Sequence, residues 1–206
     1  VCYPVLRNGD FEAKEAWEMP NTAYPAGYSD AMAHEGTRSM RVGIVGDSPV
    51  FSYSAARQAF RLPASASGAR VSFWCYPISE DTSHGRQYAL LLDADKQYLE
   101  TMMWTASDAG HWALHEYTVA GYAGQMLWIQ FGVYNDGEGG AAGMYVDDVE
   151  VEVCGPQGFI TITPVPTIPS GQTPTPHPIP SATATCSLSP TPPSHTPTAM
   201  LTPTPS

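Results

Sequence analysis

Four segments of this chain, Arg70 to Ile78, Gln87 to Asp93, Leu127 to Tyr134 and Met144 to Val153, alternate apolar and polar side chains, with clusters of Gly, Asp, Ser and Asn between them. A period of two belongs to strands, whose successive side chains point to opposite faces, and the intervening clusters are turn formers. Helical periodicity is nearly absent. The longest candidate, Glu12 to Glu18, is too short to present an apolar face for docking. The chain is therefore expected to be all-β, and many short strands in one domain mean an antiparallel β-sandwich or a barrel.

Composition decides how much of the chain takes part. All 29 charged residues, 9 basic and 20 acidic, lie at or before Glu152, whereas residues 155–206 hold 14 of the 20 prolines and no Asp, Glu, Lys or Arg. A segment of Thr, Pro and Ser buries too little apolar surface to offset its ordering entropy, so 155–206 is expected to be a disordered, extended spacer similar to O-glycosylated stalks. Residues 1–154 form one domain, which buries roughly two thirds of its unfolded surface. Its net charge of −11 argues against nucleic acid and against an anionic membrane surface, both of which select basic patches. No run of about 18 apolar residues crosses a membrane as a helix. The start at Val1 rather than Met reads as a mature or trimmed piece of a secreted protein, and the spacer suggests a further module beyond it.

The four cysteines, Cys2, Cys75, Cys154 and Cys186, show no Cys-x-x-Cys spacing. Cys2 and Cys154 flank the folded part. Domain termini often lie close together, and a first and a last strand paired side by side would bring these sulfurs within bonding range, so a Cys2 to Cys154 disulfide is expected, and with it an oxidising compartment. Cys75 falls at an inward strand position and is expected to be a buried free thiol, while Cys186 lies in the spacer.

Alternation also sorts side chains to faces. Val71, Phe73 and Cys75 oppose Ser72, Trp74 and Tyr76, and Leu127, Ile129, Phe131 and Val133 oppose Trp128, Gln130 and Tyr134. The second set of each pair mixes large aromatics with polar groups, which suits a surface groove better than a core. The same rule puts Asp147 in phase with Val149, Val151 and Val153, hence inward, where a carboxylate needs a base or a metal. Asp148, Glu150 and Glu152 fall on the opposite, solvated face.

Taken together, Leu6-x-Asn8-Gly9-Asp10-Phe11-Glu12, Trp17, His34-Glu35-Gly36-x-x-Ser39-Met40, Trp112 and Tyr145-Val146-Asp147-Asp148-Val149 resemble the jelly-roll carbohydrate-binding modules of families 4, 9 and 22. The resemblance spans nearly the whole folded part and is more specific for the fold than for function. It implies a structural calcium ion linking the first strand, the His34 turn and the last strand, held by the side chains of Glu12, Glu35 and Asp147 with backbone oxygens near Gly9 and Ser39. Carboxylate and carbonyl oxygens are the ligands that calcium takes. The resemblance also places Trp17 and Trp112 in the core.

A sugar site needs aromatic platforms for pyranose faces and a few polar groups for hydroxyls. Trp74, Tyr76, Trp128, Gln130 and Tyr134 supply that mixture on strands expected to be adjacent, with the loop residues His84, Arg86 and Tyr88 at the rim; a single bulge would reverse a strand's faces and bury Trp74 or Trp128 instead. Catalytic arrangements are lacking. His34-Glu35-Gly36 has no second zincin His, no Gly-x-Ser-x-Gly elbow occurs, and His111 and His115 enter a strand, where a spacing of four does not converge and both are expected to be exposed. Asp93 and Asp95 read as turn caps. The sequence thus points to a secreted, non-catalytic, calcium-stabilised sandwich that binds a polysaccharide or other glycan and tethers an attached protein. The alternative is a structural accessory or adhesion domain of a multidomain protein, such as a protease, with no sugar site.

Overall fold

The computed structural model describes residues 2–155; the remainder of the Pro/Thr-rich segment, including Cys186, lies outside the described residues. Ten strands and no helix occur among them. They are β1 (Cys2–Pro4), β2 (Gly27–Ser29), β3 (Ser39–Gly43), β4 (Phe51–Arg61), β5 (Gly68–Ser79), β6 (Arg86–Leu92), β7 (Tyr98–Thr105), β8 (Ala113–Val119), β9 (Met126–Asp136) and β10 (Ala142–Cys154). One sheet runs β2-β3-β10-β5-β8, with β1 also on β10, and the other runs β4-β9-β6-β7; every pairing is antiparallel. The expected all-β sandwich is what forms, and each of the four alternating segments falls within one strand (β5, β9, β10) or within one residue of it (β6).

The inner faces are those the alternation marks. Val71, Phe73 and Cys75 of β5 and Leu127, Ile129, Phe131 and Val133 of β9 are fully buried, and Phe73 meets Phe131 edge-on across the layers at 4.9 Å between ring centroids. Cys75 is a free thiol, pushed up to about 12 by burial. Trp17 joins this core against Phe11 and Phe131.

β10 is the longest strand, and it receives β3 along its first half and β1 along its end. Cys2 stands opposite Cys154 in that register, and the two are joined by a disulfide. Between the two halves a bulge at Asp147 to Glu150, with Asp148 at φ 46°, breaks the alternation. The Asn8-Gly9-Asp10-Phe11 segment seats on this bulge through a bond from the Val149 amide to the Gly9 carbonyl. A Cβ at Gly9 would lie 1.9 Å from the Val149 carbonyl oxygen, so the approach requires glycine. Asn8 ties the loop into a knot, bonding the backbone of Ala13 and Glu15 with its amide and accepting from the Trp17 indole with its carbonyl.

The bulge corrects one expectation. Asp147 pairs with Trp74 and Val146 with Cys75, so before the bulge Asp147 shares the outer face of the sheet, while Val149, Val151 and Val153 after it point inward. It is nonetheless fully buried, because the 30–38 loop folds over it and the His34 amide donates to its carboxylate.

At the open edge between β7 and β8 the layers are joined by polar contacts. Glu100 accepts from the Tyr117 and Tyr122 hydroxyls, each at 2.6 Å, and these two bonds hold its carboxyl below the usual carboxylate range. Because the folded state favours the ionised form, this contribution is present above about pH 4.5 and is lost as pH falls through the lowered value. Glu100→Ala is expected to lower stability by about 1–3 kcal/mol at neutral pH in urea unfolding, with a smaller difference near pH 3. A neutral-pH loss below about 0.3 kcal/mol would show that these bonds do not hold the edge closed.

Candidate functional site

The outer face of the four-stranded sheet carries a line of aromatic side chains contributed by all four strands. Phe51 and Tyr53 of β4, Tyr134 of β9, Tyr88 of β6 and Trp104 of β7 meet across it in register: Tyr53 pairs with Tyr134, Tyr134 with Arg86, and Tyr88 with both Gly132 and Trp104. Tyr53 and Tyr134 are 4.9 Å apart at their centroids, and Trp104 stacks on Tyr88 at 5.7 Å and 22°. Phe51, Tyr53 and Trp104 are more than half exposed. Apolar rings on a solvated strand face cost free energy unless something covers them.

Tyr88 lies flat because its neighbour has no side chain. A Cβ at Gly132 would sit 2.2 Å from the Tyr88 ring, and Ala55, opposite Gly132, keeps the floor low on the other side. A groove of about 460 Å³ results, lined by Tyr53, Tyr88, Trp104, Tyr134, Ser83, Gly85, Arg86 and Asp136. At its rim the His84 ring meets Asp136 at 2.7 Å, which raises the His84 pKa above that of a free histidine and lowers that of Asp136. Arg86 donates to the Gly85 carbonyl at 2.5 Å.

Of the eight ligand residues expected from sequence, Tyr88, Arg86 and Tyr134 line this groove and His84 stands at its rim; Arg86 and Tyr88 lie on β6 rather than in a loop. Trp128 and Gln130 share the face but lie towards its other end, where Lys96 covers the Trp128 ring at 4.5 Å while bonding both carboxylate oxygens of Glu18, and Arg57 reaches Glu18 and Gln130. Trp74 and Tyr76 do not join them. Their strand, β5, belongs to the other sheet, so the two aromatic faces turned outward by the alternation lie on opposite sides of the sandwich. There His34 stacks on Trp74 at 3.9 Å, and Trp112, expected in the core, instead lies half-buried against His34 and Tyr76.

Sequence reasoning missed Tyr53, Trp104 and Asp136. Tyr53 was marked by the Phe51-Ser-Tyr53-Ser alternation, whereas β7 carries bulges opposite β6 and shows no clean period around Trp104. His115, expected to be exposed, is half-buried and stacks on Phe73 at 5.1 Å, and burial lowers its pKa. Asp93 caps its turn as expected, accepting from the amides of Asp95 and Gln97.

The corner expected to hold calcium is built from hydrogen bonds to the 34–38 turn. Glu12 accepts from the Thr37 amide and hydroxyl and from the Arg38 amide at 2.7–2.8 Å, which lowers its pKa. Asp147 accepts from the amides of His34 and Asp148, yet burial pushes it up to about 6. The Gly9 carbonyl is bonded to Val149, the Ser39 hydroxyl to the Met32 carbonyl, and Glu35 is exposed. Among the described residues no three His, Cys, Asp or Glu side chains group closely enough to hold a metal. Asp147 accepts from backbone amides and is joined to no basic side chain among the described residues.

No protein-family model matches the sequence, and no curated protein matches it. Among solved structures the chain is similar to the carbohydrate-binding module TmCBM61, determined in complex with β-1,4-galactotriose, at TM-score 0.54 and 17% identity over 72% of this chain and 97% of that one. It is also similar to the K1 cleaved adhesin domain of Lys-gingipain from Porphyromonas gingivalis W83, at TM-score 0.51 and 10% identity over 75% of this chain and 98% of that one. A third similar structure is the enzymatically active domain of bacteriophage CBA120 tailspike protein 4, at TM-score 0.53 and 10% identity, where 73% of this chain matches only 21% of that one. The chain therefore has the β-sandwich fold of carbohydrate-binding modules.

Proposed function

We propose that this domain is a non-catalytic, extracellular glycan-binding module that holds an attached protein to a polysaccharide or a cell-surface glycan. The observation that carries the reading is the groove on the four-stranded sheet, where stacked and tilted rings from adjacent strands sit beside Arg86, Ser83 and Asp136. Flat rings suit the apolar faces of pyranoses, and the polar groups suit their hydroxyls. The similarity in fold to a module that binds a galactotriose supports it. The Cys2–Cys154 disulfide supports an oxidising, extracellular setting. Affinity electrophoresis and calorimetry against a panel of neutral and acidic polysaccharides test the proposal: retention by at least one is expected, and no retention by any would overturn it.

The same reading includes a structural calcium ion at the Glu12 and Asp147 corner. The Glu12 and Asp147 carboxylates would hold it, with Glu35 and backbone oxygens near Gly9 and Ser39 completing the set, in exchange for their hydrogen bonds to the 34–38 turn, and its charge would offset the desolvation of Asp147. In calorimetric melting of protein stripped with chelator, 1 mM calcium, about 100-fold above a Kd of order 10 µM, is expected to add about 2.7 kcal/mol, a rise of roughly 5–10 °C. No change on chelation or re-addition would show that hydrogen bonds alone make this corner.

A further inference from the structure

Arg86 carries a specificity beyond the stacking platform. Among the described residues it is the only Arg or Lys that lines the groove. The chain has 20 acidic residues for 9 basic ones; Arg7, Arg57, Arg70 and Lys96 each reach a carboxylate, while Arg86, like Lys14, Arg38, Arg41 and Arg61, forms no ion pair among the described residues, and of these five it alone lines the groove. What holds it is backbone. Its Nη1 donates to the Gly85 carbonyl at 2.5 Å and comes within 3.5 Å of the Thr82 and Ser83 carbonyls, which orients the guanidinium without neutralising it and leaves Nε and Nη2 unengaged among the described residues. Asp136, the one carboxylate among the described residues that line the groove, is occupied by the His84 ring and by the Glu138 amide at 2.9 Å.

A guanidinium edge is a planar pair of donors whose best partner is a bidentate oxyanion. Arg86 stands directly opposite Tyr134 and two positions from Tyr88 on the same strand face, so a pyranose stacked on either ring would bring a substituent at its edge within reach. In a neutral hexose that substituent is a hydroxymethyl group, and in a uronic acid it is a carboxylate. We infer that the groove selects an anionic sugar, in which a uronic carboxylate accepts from the free edge of Arg86 while the ring stacks on the tyrosines. This rests on the glycan-binding reading and narrows it. The net charge of −11 opposes an anion at long range, but charges farther than about 8 Å are largely screened near 0.15 M salt, whereas the local contact is not.

The test uses matched pairs at about 0.15 M salt: polygalacturonate, alginate and glucuronoxylan, each beside its carboxyl-reduced counterpart, and one sulfated polysaccharide beside its desulfated form. At least one acidic member is expected to bind about ten-fold or more tighter than its reduced twin, the ratio that a charge-assisted hydrogen bond gives. Arg86→Gln is expected to bring that ratio to within about two-fold, whereas Arg61→Gln, which removes the same charge at an exposed position outside the groove, leaves it in place. A preference confined to the sulfated pair and lost in Arg86→Gln supports the oxyanion and assigns it to sulfate. Equal or tighter binding of the neutral members overturns the anion reading while glycan binding stands, and so does a ratio that Arg61→Gln collapses equally. Failure to retain any member, neutral or acidic, overturns both.

Discussion

Trp104→Ala is expected to weaken glycan binding at least about 30-fold, the effect of losing an interface residue that contributes 2 kcal/mol or more. Trp104 is more than half exposed and rests on Tyr88 rather than in the core, so the melting temperature should stay within a few degrees of wild type. That separation makes the experiment informative. Replacement by Phe keeps a ring on Tyr88 and is expected to retain part of the affinity, whereas Trp74→Ala, on the opposite side of the sandwich, should leave binding unchanged. Isothermal titration with whichever polysaccharide the wild type retains reads all three. Undiminished affinity in Trp104→Ala would remove the groove as the binding site.

The double replacement Cys2→Ser and Cys154→Ser is expected to cost about 2–5 kcal/mol, because the bridge closes a loop of sequence separation 152 and so removes much freedom from the unfolded chain. In a domain of this size that corresponds to a fall of roughly 5–20 °C in melting temperature, and reduction of the wild type should reproduce it. β1 has only three residues, and without the bond it is held by its pairing with β10 and by the packing of Tyr3 on the core. A fall smaller than about 2 °C would mean that the bridge does not restrict the unfolded chain as its loop length predicts.

Both predictions depend on features that differed in how visible they were in the sequence. The inner faces of β5 and β9 were legible, since a strand buried on one side repeats its apolar residues at every second position and Val71, Phe73, Leu127 and Ile129 do so without interruption. The disulfide was legible because opposed first and last strands leave few other partners for Cys2 and Cys154. Sheet membership was not: periodicity says which face a residue occupies but not which strands lie side by side, and Trp74 and Trp128 were therefore assigned to one groove although β5 and β9 belong to different layers. The orientation of Asp147 was lost to a bulge, a one-residue insertion that leaves no mark in the hydrophobic pattern. The hollow under Tyr88 depends on Gly132, whose meaning appears only when β6 is laid beside β9.

The bridge between Cys2 and Cys154 also determines how the module responds to force. Its two Cα atoms are 4.1 Å apart, so tension applied to the backbone on either side passes from one cysteine to the other through a covalent bond. Apart from the two terminal residues that carry the sulfurs, the strands lie inside the loop that the bond closes and outside that load path. The aromatic groove belongs to the layer that contains neither cysteine, and a tug on the flanking chain would leave its rings in place until sulfur chemistry, rather than strand separation, released them.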